Sequence, residues 1–373
     1  MKIAINALFL VEGKGGGLET CLRGWLAAMS KLDSSSEYLL YTNRACRGAF
    51  PLGENFREIT CDVSAVERLK KTFYEQTVFP GVIKKEGVDL LYNPGNIAPA
   101  RHHCPSVTVI HDMVPFIRPE GFNTLELGTL KALFSLTART SERVITVSEY
   151  SKKDMVDRFG ISPDKVTVIY NGLDLSMVCA NDSDGDDGVK VGGPFILSVA
   201  SSRKYKNLDG LLRAFKIVKE GGRFPELKLV MAGHAERVHA ELVELTDALS
   251  ISGDVVFTGF VEPAELAQLY KRADLLVYPS FFEGFGLPVL EAFANGTPVA
   301  ASNAASIPEV VGDAGLLFDP TDTTAIAESV IKILLDPALK EELIKKGLKR
   351  AGEFTWERAA AETLNIFKEV SAH

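Results

Sequence analysis

Cysteine is scarce in this 373-residue sequence. The five present, Cys21, Cys46, Cys61, Cys104 and Cys179, are scattered with neither metal-like nor disulfide-like spacing. That excludes a disulfide-built scaffold and points to a reducing compartment, the cytoplasm. Positive charge is not in excess either. Lys and Arg number 41 against 49 Asp and Glu, so the net charge of −8 leaves no general basic field for nucleic acid. No apolar run approaches the ~20 residues of a membrane-spanning helix. The apolar start, Ile3 to Val11, contains Asn6 and leads into Gly13 without a small-residue cleavage site, so it reads as a first strand rather than a signal peptide. Both the GxGxxG dinucleotide fingerprint and the Walker loop are missing, which leaves a dinucleotide or ATP reading without its signature. What remains is an ordinary globular composition, 46% hydrophobic and 24% charged, long enough for two domains.

Short apolar segments alternate with longer helical ones. In the first half they are Lys2–Leu10, Glu37–Thr42, Asp89–Tyr92, Ser106–Ile110, Arg143–Val147 and Val166–Tyr170, with helical stretches at Leu18–Ser30, Val66–Lys85, Leu125–Glu142 and Glu149–Phe159. The second half repeats the theme with Phe195–Ala200, Leu227–Ala232, Val255–Phe260, Leu275–Tyr278, Pro298–Ala301 and Gly315–Phe318. Such alternation predicts an α/β protein of two doubly wound parallel sheets, each with its ligand edge at the carboxyl ends of its strands. The expected division is residues 1–175, an acidic linker 176–193, residues 194–354, and a terminal helix within 355–373. The linker core, Asn181 to Gly188, is short, acidic and without apolar anchors. As a calcium loop it fails, because Asp187 stands where glycine is required and Gly193 where the bidentate glutamate belongs. It fails as an Asp-x-Asp metal site as well, since no strand-to-loop pattern surrounds it.

The chemistry concentrates at Ser280 to Ala292. Two carboxylates, Glu283 and Glu291, lie eight positions apart, with Gly284, Gly286 and Pro288 between them. The apolar run Ala273 to Pro279 reads as a strand, and Pro288 suits the first turn of a helix that ends near Asn295-Gly296. Backbone N–H groups at a helix start point together and carry partial positive charge, which suits a phosphate. Glu283 precedes that point, and Glu291 lies about one turn inside the helix. A ligand with hydroxyls on both sides of a diphosphate fits this arrangement, and a nucleotide-sugar has that form. Lys206 and Arg203, following the strand Phe195–Ala200, are the cations best placed to take charge from a leaving diphosphate. The run Gly13-Lys14-Gly15-Gly16-Gly17 after the first strand allows close backbone approach to a ligand, with a flexible loop as the plain alternative. His111-Asp112 ends another strand. His102 and His103 sit in a loop without metal-like partners, and His234 follows Gly233 at a further strand end.

Glu283-x7-Glu291 resembles the signature of retaining glycosyltransferases of glycosyltransferase family 4, the glycogen-synthase-like superfamily with the GT-B fold. Further likeness lies in Val147 to Asp154, Val166 to Asp174, Thr297 to Ser302 and Pro308 to Gly315, so it spans most of the chain. The resemblance implies two Rossmann-like domains facing a central cleft and a terminal helix crossing back to the first domain. It further implies metal-independent transfer of a sugar, with retention of configuration, from a nucleotide-sugar to a glycan or lipid-linked acceptor. No cofactor is expected beyond the donor substrate. Lys206 matches the family's diphosphate lysine. The family's arginine often lies further upstream after a glycine, where this chain has Ala200 and Ser201, and Arg203 is the candidate for that role. His111 is implied as a contact to the transferred sugar, Glu283 as a contact to sugar hydroxyls at the reacting face, and Glu291 as the ribose binder. Gly15, Gly16 and Gly17 would close over the diphosphate and acceptor. Gly233, Gly284, Phe285, Gly286 and Leu287 would line the donor, and His234 either borders the nucleotide or is an exposed loop residue.

His111-Asp112-Met113-Val114-Pro115 with Pro119-Glu120, and Gly286-Leu287-Pro288, resemble bacterial mannosyltransferases of polysaccharide assembly. That implies GDP-mannose, with UDP-glucose and UDP-N-acetylglucosamine as alternatives. A nucleotide-sugar epimerase and a non-catalytic nucleotide-sugar-binding protein are the readings of other classes. The helical region with Arg68, Lys70, Lys71, Phe73, Tyr74, Val78, Phe79, Lys84 and Lys85 raises peripheral contact with the inner membrane surface, against the plainer expectation of a solvated helix with one buried face.

Overall fold

The computed structural model describes residues 1–11, 13, 16–173, 191–236 and 238–372. Lys14, Gly15, Cys179 and nearly all of the expected linker lie outside the described residues. The chain forms two compact units, one of residues 1–172 with 355–373, the other of residues 173–354.

The first unit is built on seven strands: β1 (Lys2–Asn6), β2 (Glu37–Asn43), β3 (Phe56–Cys61), β4 (Leu90–Asn93), β5 (Ser106–Ile110), β6 (Arg143–Thr146) and β7 (Val166–Val168). All pair in parallel, in the order β3-β2-β1-β4-β5-β6-β7. Helices cover both faces, so central strands such as β5 are buried at every residue and read as continuous apolar runs. The second unit holds β8 (Phe195–Val199), β9 (Lys228–Ala232), β10 (Val255–Gly259), β11 (Leu275–Tyr278), β12 (Val299–Ser302) and β13 (Leu316–Phe318), again all parallel, in the order β10-β9-β8-β11-β12-β13. Its core joins Ile196, Leu229, Leu275 and Val277 to Leu211, Phe215, Ile326 and Val330 from helices. In each sheet the strand order reverses beside the first strand of the unit, between β1 and β4 and between β8 and β11. Loops leaving the carboxyl ends at such a switch point diverge and leave room for a ligand.

The last helix, Trp356–Ser371, belongs to the first unit. It packs on the helix Gly17–Leu32, and Phe367 stands edge-on to Trp25 and Tyr92 with ring centroids 6.2 and 5.1 Å away.

Three local expectations need correction. Strand β3 was not anticipated: its residues, Phe-Arg-Glu-Ile-Thr-Cys, carry two charges, which the sheet edge tolerates by exposing Arg57 and leaving Glu58 half-buried. Strand β1 stops at Asn6, short of Leu10. The helix expected over Val66–Lys85 is two, Arg68–Thr77 and Phe79–Lys85, broken at Val78. Pro80 cannot donate to an upstream carbonyl and its ring crowds the preceding turn, so it is accommodated only in the first turn of a new helix.

Candidate active site

In the second unit, β8 and β11 are hydrogen-bonded neighbours, so the loops that follow them emerge side by side. This brings Lys206 and Glu283 together although 77 positions separate them. The Lys206 ammonium donates to both Glu283 carboxylate oxygens at 2.8 Å, with the two side chains 14% and 11% exposed. Burial pulls the lysine down, but the Glu283 charge overrides it and holds the ammonium above the usual lysine range. Its position is set by the next residue. Asn207 adopts the left-handed conformation (φ 54°) and its buried amide donates to the carbonyls of Pro279 and Pro320. The turn before the helix Leu208–Glu220 is therefore pinned to the ends of two other strand connections. Tyr205 and Tyr278 place their rings 5.2 and 5.9 Å from the ammonium. Burial pushes the Tyr278 hydroxyl up, and the Glu283 charge adds to the shift.

The loop carrying Glu283 is held from beneath. The buried Ser306 hydroxyl lies 3.0 Å from the carbonyl oxygens of both Glu283 and Phe285. Gly286 then caps the helix Leu287–Ala294 at φ 125°, a conformation that side chains rarely adopt, with Pro288 in the first turn. Gly284 is half-buried and Phe285 buried against Phe354, ring centroids 5.8 Å apart. Inside the helix, Glu291 accepts a hydrogen bond from the Tyr270 hydroxyl at 2.8 Å. Arg203 donates to Glu236 at 2.7 Å and stays well exposed. Burial works against its charge, and the Glu236 hydrogen bond more than offsets this, so the guanidinium is held above its ordinary value. Gly233 has a structural reason of its own: at φ 143° its backbone passes so close to β8 that an added Cβ would lie 2.2 Å from the Ala200 carbonyl oxygen. His234 stacks on Phe260 at 4.7 Å.

In the first unit, His111 follows β5 and is 9% exposed. Its backbone N–H donates to Asn96 Oδ1 at 2.7 Å, and Nε2 lies 2.9 Å from the Pro94 carbonyl. A carbonyl only accepts, so Nε2 carries the proton and Nδ1 is the ring's acceptor. Burial pushes the imidazole down to about 4, with the Pro94 bond opposing it, so the ring is neutral at pH 7. Asp112 caps the following turn, its carboxylate accepting from the Val114 N–H at 3.0 Å. Gly16 caps the helix Gly17–Leu32, and the Gly13 N–H donates to Glu19 at 3.0 Å. At the neighbouring switch point, Asn6 bridges Glu75 and Asn93 at 3.2 Å, with Lys71 pairing the buried Glu75.

Thus Lys206, Glu283, Gly284, Phe285, Gly286, Leu287 and Glu291 surround one end of the second sheet, with Arg203 and Gly233 on the loops beside them. His111, Gly16 and Gly17 belong to the first unit. Sequence reasoning missed Ser306, Tyr270 and Tyr278, and of Asn207, which with Lys206 matches the family's Lys-Asn pair, it missed the left-handed turn. A polar residue before the apolar periodicity of Leu208–Glu220 marks Asn207 as a cap, but nothing local marks the others. Among the described residues, no three His, Cys, Asp or Glu side chains gather as metal ligands.

Both units are doubly wound, and the acid–lysine pair lies at the switch point of the second. Residues 15–177 match Glycosyltransferase Family 4, and residues 182–350 match Glycosyl transferases group 1. An uncharacterised glycosyltransferase of Methanocaldococcus jannaschii is 32% identical over 280 residues, 72% of this chain and 70% of its own. O-antigen chain mannosyltransferase B of Escherichia coli is 29% identical over 290 residues, 75% of this chain and 74% of its own. Among solved structures, sucrose-phosphate synthase of Thermosynechococcus elongatus superposes with a TM-score of 0.79 at 18% identity, covering 100% of this chain and 99% of that one, which places the fold in the GT-B class. The chain belongs to glycosyltransferase family 4 and is a glycosyltransferase.

Proposed function

We propose that this enzyme transfers mannose from GDP-mannose to a glycan or lipid-linked acceptor, with retention of anomeric configuration and without a metal ion. The observation that carries the reading is the Lys206–Glu283 pair beside the helix start at Gly286. A buried ammonium and a helix N-terminus are two of the few protein devices that stabilise a departing diphosphate without a metal. The name of the Escherichia coli relative supports the mannosyl donor. Lys206, assisted by Arg203, takes up the charge that builds as the bond from the anomeric carbon to the diphosphate oxygen breaks. The acceptor hydroxyl attacks the same face, and its proton passes to the departing phosphate oxygen. Neutral His111 offers Nδ1 to a sugar hydroxyl. Glu283 orients sugar hydroxyls, and Glu291, held by the buried Tyr270 hydroxyl, binds the ribose.

Peripheral attachment belongs to the same proposal. Leu69, Phe73, Val66 and Val78 are 82, 67, 72 and 45% exposed, and Leu69, Phe73 and Val78 line a surface groove of about 560 Å3. Residues 68–85 carry Arg68, Lys70, Lys71, Lys84 and Lys85 against Glu75 alone, a net charge of +4 in a chain of −8. An anionic bilayer fits both features. Among the described residues no helix is long and apolar enough to cross a membrane.

The test is turnover with GDP-, UDP- and ADP-sugars in a strong chelator, with Glu283→Ala as control and the product's anomeric configuration read by NMR. GDP-mannose turnover with retention is expected. Turnover with UDP-sugars alone would overturn the donor assignment. Activity that only magnesium or manganese restores would overturn the metal-free one.

A further inference from the structure

Beside His111 the first unit forms a half-open cavity with about 30 Å3 of space for water, walled by Tyr92, Pro94, His111, Asn171, Trp25 and Trp356 among others. Tyr92 and Asn171 are 3% and 7% exposed. Among the described residues the Tyr92 hydroxyl and the Asn171 amide have no hydrogen-bond partner. Two further wall residues, Trp25 and Trp356, keep buried indole N–H groups without one. Buried polar groups are nearly always paired, commonly through internal water. A water needs roughly 10–15 Å3 of such space and two to four polar partners, so this cavity has room for about two.

We propose that ordered water in this cavity bridges the Tyr92 hydroxyl and the Asn171 amide to the Pro94 carbonyl and thereby holds His111 in its Nε2–H tautomer. The Pro94 oxygen has two lone pairs. One receives the His111 Nε2–H at 2.9 Å, and the other takes a water proton. The carbonyl is then fixed from behind, and His111 Nδ1 is kept as an acceptor on the ligand side. Tyr92 and Asn171 are positioning residues that act through His111. Their catalytic consequence rests on His111 being a sugar contact, whereas the water bridge itself does not.

Tyr92→Phe tests this with little disturbance, because the ring that packs against Trp25 at 4.6 Å is retained. Asn171→Ala is the second variant should the first fail to fold. With 15N-labelled histidine, and His111 assigned through His111→Gln, the parent protein should show a single Nε2–H tautomer. Each variant should shift both ring nitrogens toward a tautomer mixture. The kcat should fall by about tenfold, with donor affinity changed less than about twofold, as expected for misorientation rather than lost binding. Parent-like His111 shifts in both variants, at unchanged thermal midpoints, would overturn the bridge, as would a high-resolution crystal structure with this cavity dry. Shifted nitrogens with unchanged kcat would leave the bridge standing and remove His111 from the sugar site.

Discussion

Cutting the Lys206–Glu283 pair from either side should give opposite effects on diphosphate binding. Both side chains are close to nine-tenths buried, and the ammonium bonds both carboxylate oxygens at 2.8 Å. Removing one member strands the other charge at a cost of about 3–5 kcal/mol. A unit of this size loses roughly 2–4 °C of Tm per kcal/mol, so Lys206→Met and Glu283→Gln should each melt roughly 6–20 °C below the parent. Their responses to GDP should differ. In the parent, an incoming diphosphate competes with Glu283 for the ammonium. Glu283→Gln frees the lysine, so GDP should bind about tenfold more tightly, about 1.4 kcal/mol, and should raise the variant's Tm by roughly 3–6 °C more than it raises the parent's. Lys206→Met loses a charge-assisted bond of about 1.5–3 kcal/mol, so GDP should bind roughly tenfold to 150-fold more weakly. Both variants should transfer sugar poorly. Calorimetry with GDP and melting curves with and without it decide the matter. Equal weakening in the two variants, or melts like the parent's, would refute the reasoning.

His111 makes stability fall in acid. Its native value of about 4 lies below the ordinary 6.5, so its contribution is complete above about pH 6.5 and is lost as pH falls toward 4, by up to roughly 3 kcal/mol. His111→Gln should flatten the urea midpoint between pH 6.5 and 4, and an unchanged slope would refute this. Gly233→Ala would drive a Cβ to 2.2 Å from the Ala200 oxygen, at a cost of at least about 3 kcal/mol, and a melt within about 2 °C of the parent would contradict it. Leu69→Ser with Phe73→Ser should lower cosedimentation with vesicles rich in anionic lipid by at least about fivefold while GDP affinity is kept. Equal sedimentation of parent and variant would remove the bilayer from this face.

The alternation of short apolar runs with helical periods made the two parallel sheets readable, because strands buried on both faces leave a mark that no tertiary information is needed to see. Edge strand β3 escaped for the converse reason: exposed Arg57 and half-buried Glu58, which bonds Thr42 and Gly48, break the apolar run. The spacing of Glu283 and Glu291, with Gly286 between, could be read as loop and helix start. That Glu283 grips Lys206 could not, since the contact depends on β8 lying beside β11, and strand order is not written in local pattern. Ser306 and Tyr270 were invisible for the same reason. Each reaches its partner, Glu283 and Glu291 respectively, from a different element 21–23 positions away. The exposed stripe of Leu69 and Phe73 was legible only as amphipathic. Which side faces outward was decided by Glu75, whose burial against Asn6 turns the helix.

Phe367 wedges against Trp25 and Tyr92, so a core begun within residues 1–172 is completed by a helix that follows the whole second unit. On the ribosome, residues 1–172 must wait, with that aromatic surface uncovered, until some 180 further residues have been synthesised. The nascent chain is therefore open to chaperones and proteases within residues 1–172 for as long as the second unit is being made. Deleting the final sixteen-residue helix should strip protection from residues 1–172 rather than from the segment made just before it.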